Sequence, residues 1–231
     1  MLSPRVFLFD VDGTLVTARG AGRRALGVAL EKTFGVRGPI ETYDFRGKTD
    51  PRIIQDLMVA AGVAPSEIRS LAPACLAAYV AALAEVVGDG SRVQTMPGVP
   101  ELVRALGARA DALVGLLTGN IEAGARLKLE PTGLWPLFRV GAYGSDDPDR
   151  TRLPAVAAAR VERLTGAPVS FERVTIIGDT PLDVECARAC GAVAVAVATG
   201  QHGLDELAAC RPDLIFRDFA DVPQALARLV S

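Results

Sequence analysis

Short apolar runs recur along the chain, and each ends at polar or glycine-containing segments. They fall at 6–9, 112–117, 138–142, 174–177, 192–197 and 213–216. An apolar run of this length is typical of a parallel strand covered on both faces. Segments with helical spacing follow most of them, at 122–129, 152–164, 181–190, 204–210 and 222–230. This alternation predicts an α/β fold, a Rossmann-like doubly wound parallel sheet.

The interval from about residue 16 to residue 95 breaks this alternation. Helices rich in Ala and Leu are predicted at 23–34, 51–61 and 66–87, with no convincing strand between them. Glycine-rich turns at 88–91 and 96–98 would lead the chain back. We therefore predict a core formed by residues 1–15 and 96–231, and an inserted helical cap formed by residues 16–95.

Composition and charge exclude several classes of protein. Half of the 231 residues are apolar and the formal net charge is -2, so the chain should fold and lacks the basic surface of a nucleic-acid-binding protein. The four cysteines lack zinc-site spacing, and there is a single histidine. We see neither a signal peptide nor an apolar run long enough for a bilayer. We expect a cytoplasmic monomer or homodimer without membrane or nucleic-acid partners.

The most informative segment is 10–15, Asp-Val-Asp-Gly-Thr-Leu, which directly follows the first predicted strand. Residues i and i+2 of an extended chain point to the same side, so Asp10 and Asp12 should converge at the carboxyl end of a parallel strand, where α/β sheets bind ligands. Two carboxylates so close repel each other unless they share a cation or a proton. Gly13 lets the chain turn away. A lone Asp-x-Asp would more often cap a helix, but the whole string after a strand favours a site.

A second acidic pair follows another predicted strand. Asp179 lies at the strand end, and Asp183 falls four residues later on a helix that begins at Pro181. Together with the first pair they could complete an oxygen-rich magnesium site. Taken alone, this pair would be better explained as a helix cap and a surface carboxylate.

Two weaker segments supply candidate phosphate ligands. Thr118, Gly119 and Asn120 end a strand before a helix, where a hydroxyl, a free backbone N–H and an amide could cradle a phosphate, although a simple helix cap is equally common. Arg150 precedes the helix predicted at 152–164 and could neutralise a phosphoryl group, and the alternative in so arginine-rich a chain is an ordinary surface arginine.

These four segments, in this order, resemble the haloacid dehalogenase-like (HAD) hydrolase superfamily, in particular its helical-cap phosphatases of the phosphoglycolate phosphatase type. The resemblance covers essentially the whole chain. It implies a phosphatase that uses Mg²⁺ and hydrolyses a small phosphorylated metabolite through an aspartyl phosphate.

The resemblance also implies roles for single residues. Asp10 would be the nucleophile, and Asp12 would protonate the leaving oxygen and then deprotonate water. Asp10, Asp179 and the backbone carbonyl of Asp12 would hold the metal, with Asp183 close by. From the acidic neighbours we expect Asp12 to be surrounded by anions, which would raise its affinity for the proton that it donates.

The third of the four segments in chain order, around residues 149–152, corresponds to the third motif of the family. It departs from the family pattern, which usually has a lysine there. The segment around residues 149–152 contains none. Arg150 is our choice for the role, Arg152 is second, and Lys128 on the helix after Asn120 is a rival source of charge.

The cap offers one polar string, at residues 45–50. Arg46 or Lys48 could grip an anionic part of the substrate, whereas Thr49 or Asp50 could simply cap the next helix. Two other functions stay open: a phosphomutase that returns the phosphoryl group to a sugar, and a non-catalytic phosphate-binding regulatory module.

Overall fold

A computed structural model describes residues 4–231, and its centre is a six-stranded parallel sheet. The strands are, in chain order, β1 (Arg5–Phe9), β2 (Val16–Thr17), β3 (Gln94–Thr95), β4 (Ala112–Thr118), β5 (Val140–Tyr143), β6 (Val174–Gly178), β7 (Val193–Val197) and β8 (Leu214–Phe216). The large sheet has the order β5-β4-β1-β6-β7-β8, so β1 lies near its middle. The order reverses direction beside β1, and such a point is where α/β sheets bind ligands.

Nine α-helices surround or follow the strands within the described residues. They are α1 (Ala21–Phe34), α2 (Asp50–Ala60), α3 (Pro65–Val87), α4 (Val99–Gly107), α5 (Glu122–Leu129), α6 (Leu153–Thr165), α7 (Pro181–Cys190), α8 (Leu204–Ala209) and α9 (Val222–Val230). A short 3-10 helix, Arg150–Arg152, leads into α6. Left-handed glycines, Gly166 and Gly191, end α6 and α7, because they lack a Cβ that would clash in this conformation.

The sheet is buried on both faces, which explains why its strands are continuously apolar. On β1, Phe7 and Phe9 pack into one hydrophobic cluster, while Val6 and Leu8 pack into another on the opposite face. Each buried phenylalanine contributes about 1.5–3 kcal/mol through removal of its apolar surface from water. The predicted doubly wound parallel sheet is confirmed.

Helices α1, α2 and α3 form a separate hydrophobic cluster beyond the sheet. Leu30, Ile54 and Leu83 are fully buried in it, and Ile121, at the start of α5, joins it from the sheet side. The division into a core (1–15 and 96–231) and a cap (16–95) stays a prediction.

Two features near the predicted hinges were not foreseen. The strands β2 and β3 pair antiparallel, with Val16 opposite Thr95. They lie before the first and after the last of the three helices, so the expectation that no strand separates these helices still holds. Helix α4 was also missed. A strand of two residues is too short to show the alternation from which strands are predicted.

Helix α3 corrects the expectation that no apolar run is long enough to cross a bilayer. By length and composition alone it is apolar enough to cross a membrane. The core helix of a soluble protein meets the same criterion, and Ile68, Cys75 and Tyr79 on α3 are buried in the cluster with α1 and α2.

Candidate active site

The sheet brings residues from three sequence segments to one edge. Asp10 directly follows β1, Asp179 directly follows β6, and Thr118 is the last residue of β4. Because β4, β1 and β6 are parallel neighbours, their carboxyl ends meet. The structure therefore places these three segments together at one edge of the sheet.

Three buried carboxylates gather at this edge. Asp10, Asp179 and Asp183 each place one oxygen within 4.8 Å of the others. Asp183 also completes a capping box at the start of α7, since its Oδ2 accepts hydrogen bonds from the Thr180 N–H at 3.0 Å and the Thr180 hydroxyl at 2.7 Å. The helix-cap alternative is therefore true of Asp183, but the carboxylate is buried rather than on the surface.

Arg150 is buried against this cluster. Its Nη2 lies 3.2 Å from Asp10 Oδ1 and donates a hydrogen bond to Asp183 Oδ1. Its Nη1 donates to the backbone carbonyl of Gly47, at 3.1 Å. The guanidinium thus joins the sheet edge to the 45–50 segment. Arg152, by contrast, is 71% exposed and faces Asp147 and Asp149, whereas the side chain of Arg150 is 7% exposed.

Two glycines leave room for Asp179. A Cβ on Gly13 would lie 2.4 Å from Asp179 Oδ2, and a Cβ on Gly200 would lie 1.7 Å from the same atom. Gly13 also has φ +84°, a conformation that side chains rarely adopt. The Thr14 hydroxyl donates to Asp179 Oδ1 at 2.9 Å, which fixes the carboxylate from the side of the first motif.

Burial raises the pKa values of two carboxyl groups in this cluster. Burial raises the pKa of Asp10 to about 6, and the nearby Arg150 opposes the change. Burial raises the pKa of Asp179 well above its ordinary value, and the charge of Asp10 raises it further. Carboxylates in such surroundings favour either a proton or a bound cation.

Asp12 is not part of this cluster and has different hydrogen-bond partners. Its Oδ2 accepts hydrogen bonds from Lys128 Nζ at 2.5 Å and from Asn120 Nδ2 at 2.9 Å. Lys128 Nζ also lies 2.5 Å from Asn120 Oδ1, and Asn120 Nδ2 lies 3.0 Å from Thr118 Oγ1. Asp10 and Asp50 are close enough to interact with Asp12, as expected, but α5 also places the Lys128 cation against it, so anions are not its only charged neighbours.

The third-motif candidates therefore occupy three different places. Arg150 contacts Asp10, Lys128 contacts Asp12, and Arg152 faces solvent. The assignment of the third-motif charge to Arg150 agrees with this placement and stays a proposal.

A cavity of about 360 Å³ opens above these residues. Its walls include Asp10, Asp12, Gly119, Asn120, Lys128, Arg150 and Asp179, together with Arg46, Lys48 and Asp50 from the 45–50 segment. Thr118 is fully buried and does not line it. Arg46 forms an ion pair with Asp44 at 2.8 Å, and Lys48 Nζ lies 4.1 Å from the centre of the Tyr43 ring.

The segment before α2 docks onto the sheet side. The Thr49 side chain caps α2 by accepting from the Arg52 N–H at 3.3 Å, as one of our alternatives predicted. Asp50 is used differently: its Oδ2 accepts from the Ile121 N–H at 2.8 Å, and its own N–H donates to the Gly119 carbonyl. A Cβ on Gly119 would lie 2.1 Å from the Lys48 carbonyl oxygen, so only glycine permits this contact.

Comparison with known proteins decides the family. The family model of haloacid dehalogenase-like hydrolases matches residues 7–188, which is most of the chain. The chain belongs to the haloacid dehalogenase-like hydrolase family.

Curated relatives of this hydrolase match it over nearly its whole length. It is 29% identical to the phosphoglycolate phosphatase of Synechococcus elongatus, over 98% of this chain and 99% of the relative. It is 28% identical to the phosphoglycolate phosphatase of Rhodospirillum rubrum, over 95% and 89% of the two chains. The predicted class, a phosphatase of this superfamily, is confirmed.

Solved structures show the same fold. A hydrolase from Pseudomonas syringae matches with a TM-score of 0.72 and 22% identity, covering 98% of this chain and 100% of the other. CbbY from Rhodobacter sphaeroides, solved in complex with phosphate, matches with a TM-score of 0.66 and 19% identity, over 95% and 96%.

Several residues of the site were missed by sequence reasoning. Thr14 lies inside the first motif, so the motif itself could have directed attention to it. Thr199, whose hydroxyl donates to the Gly13 carbonyl at 2.6 Å, and Asp50 lie far from their partners in sequence. Nothing in the order of residues shows such contacts.

Proposed function

We propose that this hydrolase is a Mg²⁺-dependent phosphatase that releases phosphate from a small phosphorylated metabolite through an aspartyl phosphate on Asp10. The observation that carries the proposal is the placement of Asp10. It lies at the carboxyl end of a central strand, on the wall of the cavity, within 4.8 Å of two further carboxylates.

The donor set fits magnesium. Asp10, Asp179 and Asp183 offer three carboxylate oxygens in a small space, and Mg²⁺ prefers oxygen ligands with retained waters. We assign Asp10, Asp179 and the backbone carbonyl of Asp12 as ligands, with Asp183 beside them. Bound there, the ion would neutralise charge on the phosphoryl oxygens, without which a carboxylate cannot approach a phosphate monoester.

The chain's own residues account for the two chemical steps. An oxygen of Asp10 attacks phosphorus, the bond from phosphorus to the leaving oxygen breaks, and Asp12 gives that oxygen its proton. Asp12 then takes a proton from water, whose oxygen attacks phosphorus and releases inorganic phosphate, restoring the Asp10 carboxylate.

Arg150 supports the first step. Its Nη2 contacts both Asp10 and Asp183, so it can fix the orientation of the nucleophile and attract a phosphoryl oxygen. Gly13, Thr118, Gly119 and Asn120 are assigned to phosphate binding. Gly119 and Asn120 line the cavity, and Thr118 supports Asn120 from behind.

The substrate class follows from the cavity and from the relatives. A cavity of about 360 Å³ suits a small metabolite. Two curated relatives are named phosphoglycolate phosphatases, which favours a short phosphorylated acid. Arg46 and Lys48 also line the cavity, and we assign them to the part of the substrate that leaves. We assign residues 16–95 to a cap that covers this part.

The proposed setting is the cytoplasm, with the enzyme acting as a monomer or homodimer. The formal charge of -2 and the lack of basic runs argue against nucleic-acid and membrane partners.

A screen of the purified enzyme against phosphorylated metabolites tests the proposal. We expect steady release of inorganic phosphate with Mg²⁺, and none after treatment with a chelator until Mg²⁺ is restored. Release that persists without divalent metal would contradict the metal assignment. Transfer of phosphate between positions of a sugar, without steady release, would instead identify the phosphomutase alternative.

A further inference from the structure

Lys128 is a buried cation to which the proposed function assigns no step. It lies in the last turn of α5, and its side chain is only 4% exposed. Burial of a lysine ammonium is costly unless it is paired and hydrogen-bonded. Both conditions are met here by Asp12 and Asn120.

The contacts of Lys128 converge on one oxygen of Asp12. Oδ2 accepts from Lys128 Nζ at 2.5 Å and from Asn120 Nδ2 at 2.9 Å, while Asn120 Oδ1 in turn accepts from the same ammonium. Within residues 4–231, Oδ1 of Asp12 has no hydrogen-bond partner. The Asp12 side chain is 45% exposed and borders the cavity. One oxygen is thus held, and the other is free.

The start of α1, in the predicted cap, lies over the ammonium group of Lys128. A Cβ on Gly22 would lie 3.7 Å from Lys128 Nζ and 3.5 Å from the hydroxyl of Tyr79, so both groups lie beneath the start of α1. Arg150 occupies the other side of the site, against Asp10. The two buried cations therefore serve different aspartates.

We propose that Lys128 is a positioning residue that holds Asp12 through Oδ2, so that Oδ1 is directed to the leaving oxygen and later to the attacking water. This inference rests on the proposed function of Asp12. Its physical basis is that proton transfer requires the donor oxygen within hydrogen-bond reach of the leaving group, and a half-exposed aspartate would otherwise sample several rotamers.

Substrates with different leaving groups distinguish a role of Lys128 in positioning Asp12 from a role in phosphate binding. An alkyl alkoxide must be protonated as it leaves, whereas p-nitrophenolate leaves as a stable anion. A misplaced Asp12 should therefore slow the cleavage of an alkyl phosphate ester more than it slows the first-turnover release of p-nitrophenol from p-nitrophenyl phosphate. The alkyl ester is phosphoglycolate, or the best alkyl substrate of the screen if phosphoglycolate is not turned over.

The test compares Lys128→Met with Lys128→Arg, which retains donors and charge, and with Arg126→Met. Arg126 lies on the same helix but is 58% exposed and pairs with Glu130, so its variant controls for changes to α5. Folding is checked by circular dichroism, and Lys128→Gln replaces Lys128→Met if the latter does not fold.

For Lys128→Met we expect first-turnover cleavage of the alkyl ester to fall about 100-fold, with KM and p-nitrophenol release changed less than about fivefold. Lys128→Arg should recover most of the loss, and Arg126→Met should match the wild type. An equal loss on both substrates with a raised KM would mean that Lys128 binds the phosphoryl group, and unchanged rates would mean that it only fills space. Either result overturns the inference.

Crystal structures of the wild type and Lys128→Met give a readout that does not depend on turnover. We expect Asp12 to lose its contact with Asn120 and to become disordered or rotated in the variant. An unchanged Asp12 would refute the positioning role even in an active enzyme. A wild-type protein that hydrolyses no ester would refute the proposed function, and the position of Asp12 would still decide the role of Lys128.

Discussion

The two sides of the cavity each hold one buried cation, yet their carboxylates differ in number and exposure. On the side of the proposed metal site, here called the metal side, Arg150 faces three buried aspartates, Asp10, Asp179 and Asp183. On the side that meets the predicted cap, here called the cap side, Lys128 contacts Asp12, which is 45% exposed. Excess negative charge therefore accumulates on the metal side.

This difference indicates which side would bind the divalent ion of the proposed function. A buried carboxylate without a counterion costs free energy, and protons or cations relieve that cost. The metal side combines burial with the larger surplus of charge, three buried carboxylates beside one cation, and there burial raises the pKa of Asp10 and that of Asp179. The cap side can balance its charge with Lys128, amide donors and water. The comparison predicts different consequences when each side is altered.

The largest effect is expected from Asp10→Asn. An amide cannot act as the nucleophile, so phosphate release should fall at least about 10⁴-fold while the fold persists. Steady-state phosphate release and circular dichroism measure the two quantities. Substantial residual turnover in a folded variant would remove Asp10 as the nucleophile.

Removal of Arg150, the buried cation of the metal side, should have the next largest effect. Arg150→Ala takes a buried donor from Asp10 and Asp183, so kcat should fall about 100- to 1000-fold. Because the aspartates lose their buried partner, the metal-free variant should also unfold about 3 kcal/mol more easily.

Arg152→Ala is the matched control for Arg150→Ala. Its side chain is exposed and its ion pairs are long, at 3.6 and 3.8 Å, so activity and stability should stay close to those of the wild type. The opposite ranking of the two variants would overturn the assignment of the third-motif charge to Arg150.

A smaller effect is expected from Thr14→Val, which keeps the shape of the side chain but removes the hydrogen bond to Asp179. Loss of a group that orients a metal ligand typically costs 10- to 100-fold in metal affinity, and we expect a shift of about this size in the Mg²⁺ activation curve. Thr165→Val, at the exposed end of α6, is the control. An unshifted curve would mean that Asp179 keeps its orientation without Thr14.

The metal side was largely predictable from sequence, whereas the cap side was not. Asp10 and Asp179 follow continuous apolar strands, and the geometry of parallel sheets brings strand ends together whatever the intervening chain does. The contact of Lys128 with Asp12 depends on the rotation of α5 about its axis and on side-chain packing. Such details do not show in the spacing of residues.

The same contrast applies to the fold. The helices at 122–129, 181–190 and 222–230 were predicted to the residue, because Pro or polar residues mark their starts. The β2–β3 pair was missed because two residues carry no periodicity. Asp50 was considered only as a cap of its own helix, yet it accepts a hydrogen bond from Ile121, 71 residues away.

The smallest effect, and the sharpest test of the cap side, concerns Asp50. Burial raises its pKa to about 6, although Lys128 and the Ile121 N–H oppose the change. In the unfolded chain the carboxyl loses its proton near pH 4. Between about pH 4 and 6 the folded state therefore binds more protons than the unfolded state, so the contribution of Asp50 to the free energy of unfolding falls as pH rises.

Asp50→Asn keeps a hydrogen-bond acceptor for Ile121 but cannot ionise, so it should abolish this contribution. We expect the stability of Asp50→Asn relative to the wild type to increase as pH rises from about 4 to 6, and to level off above this range. Urea unfolding at a series of pH values measures it, with the exposed Glu41→Gln in the same region as control. A difference that does not vary with pH would show that the pKa of Asp50 is the same in the folded and unfolded chain, so that the carboxyl is ionised in the folded protein above about pH 4. Lys128 would then neutralise two carboxylates at once, and the charge balance that distinguishes the cap side would have to be redrawn.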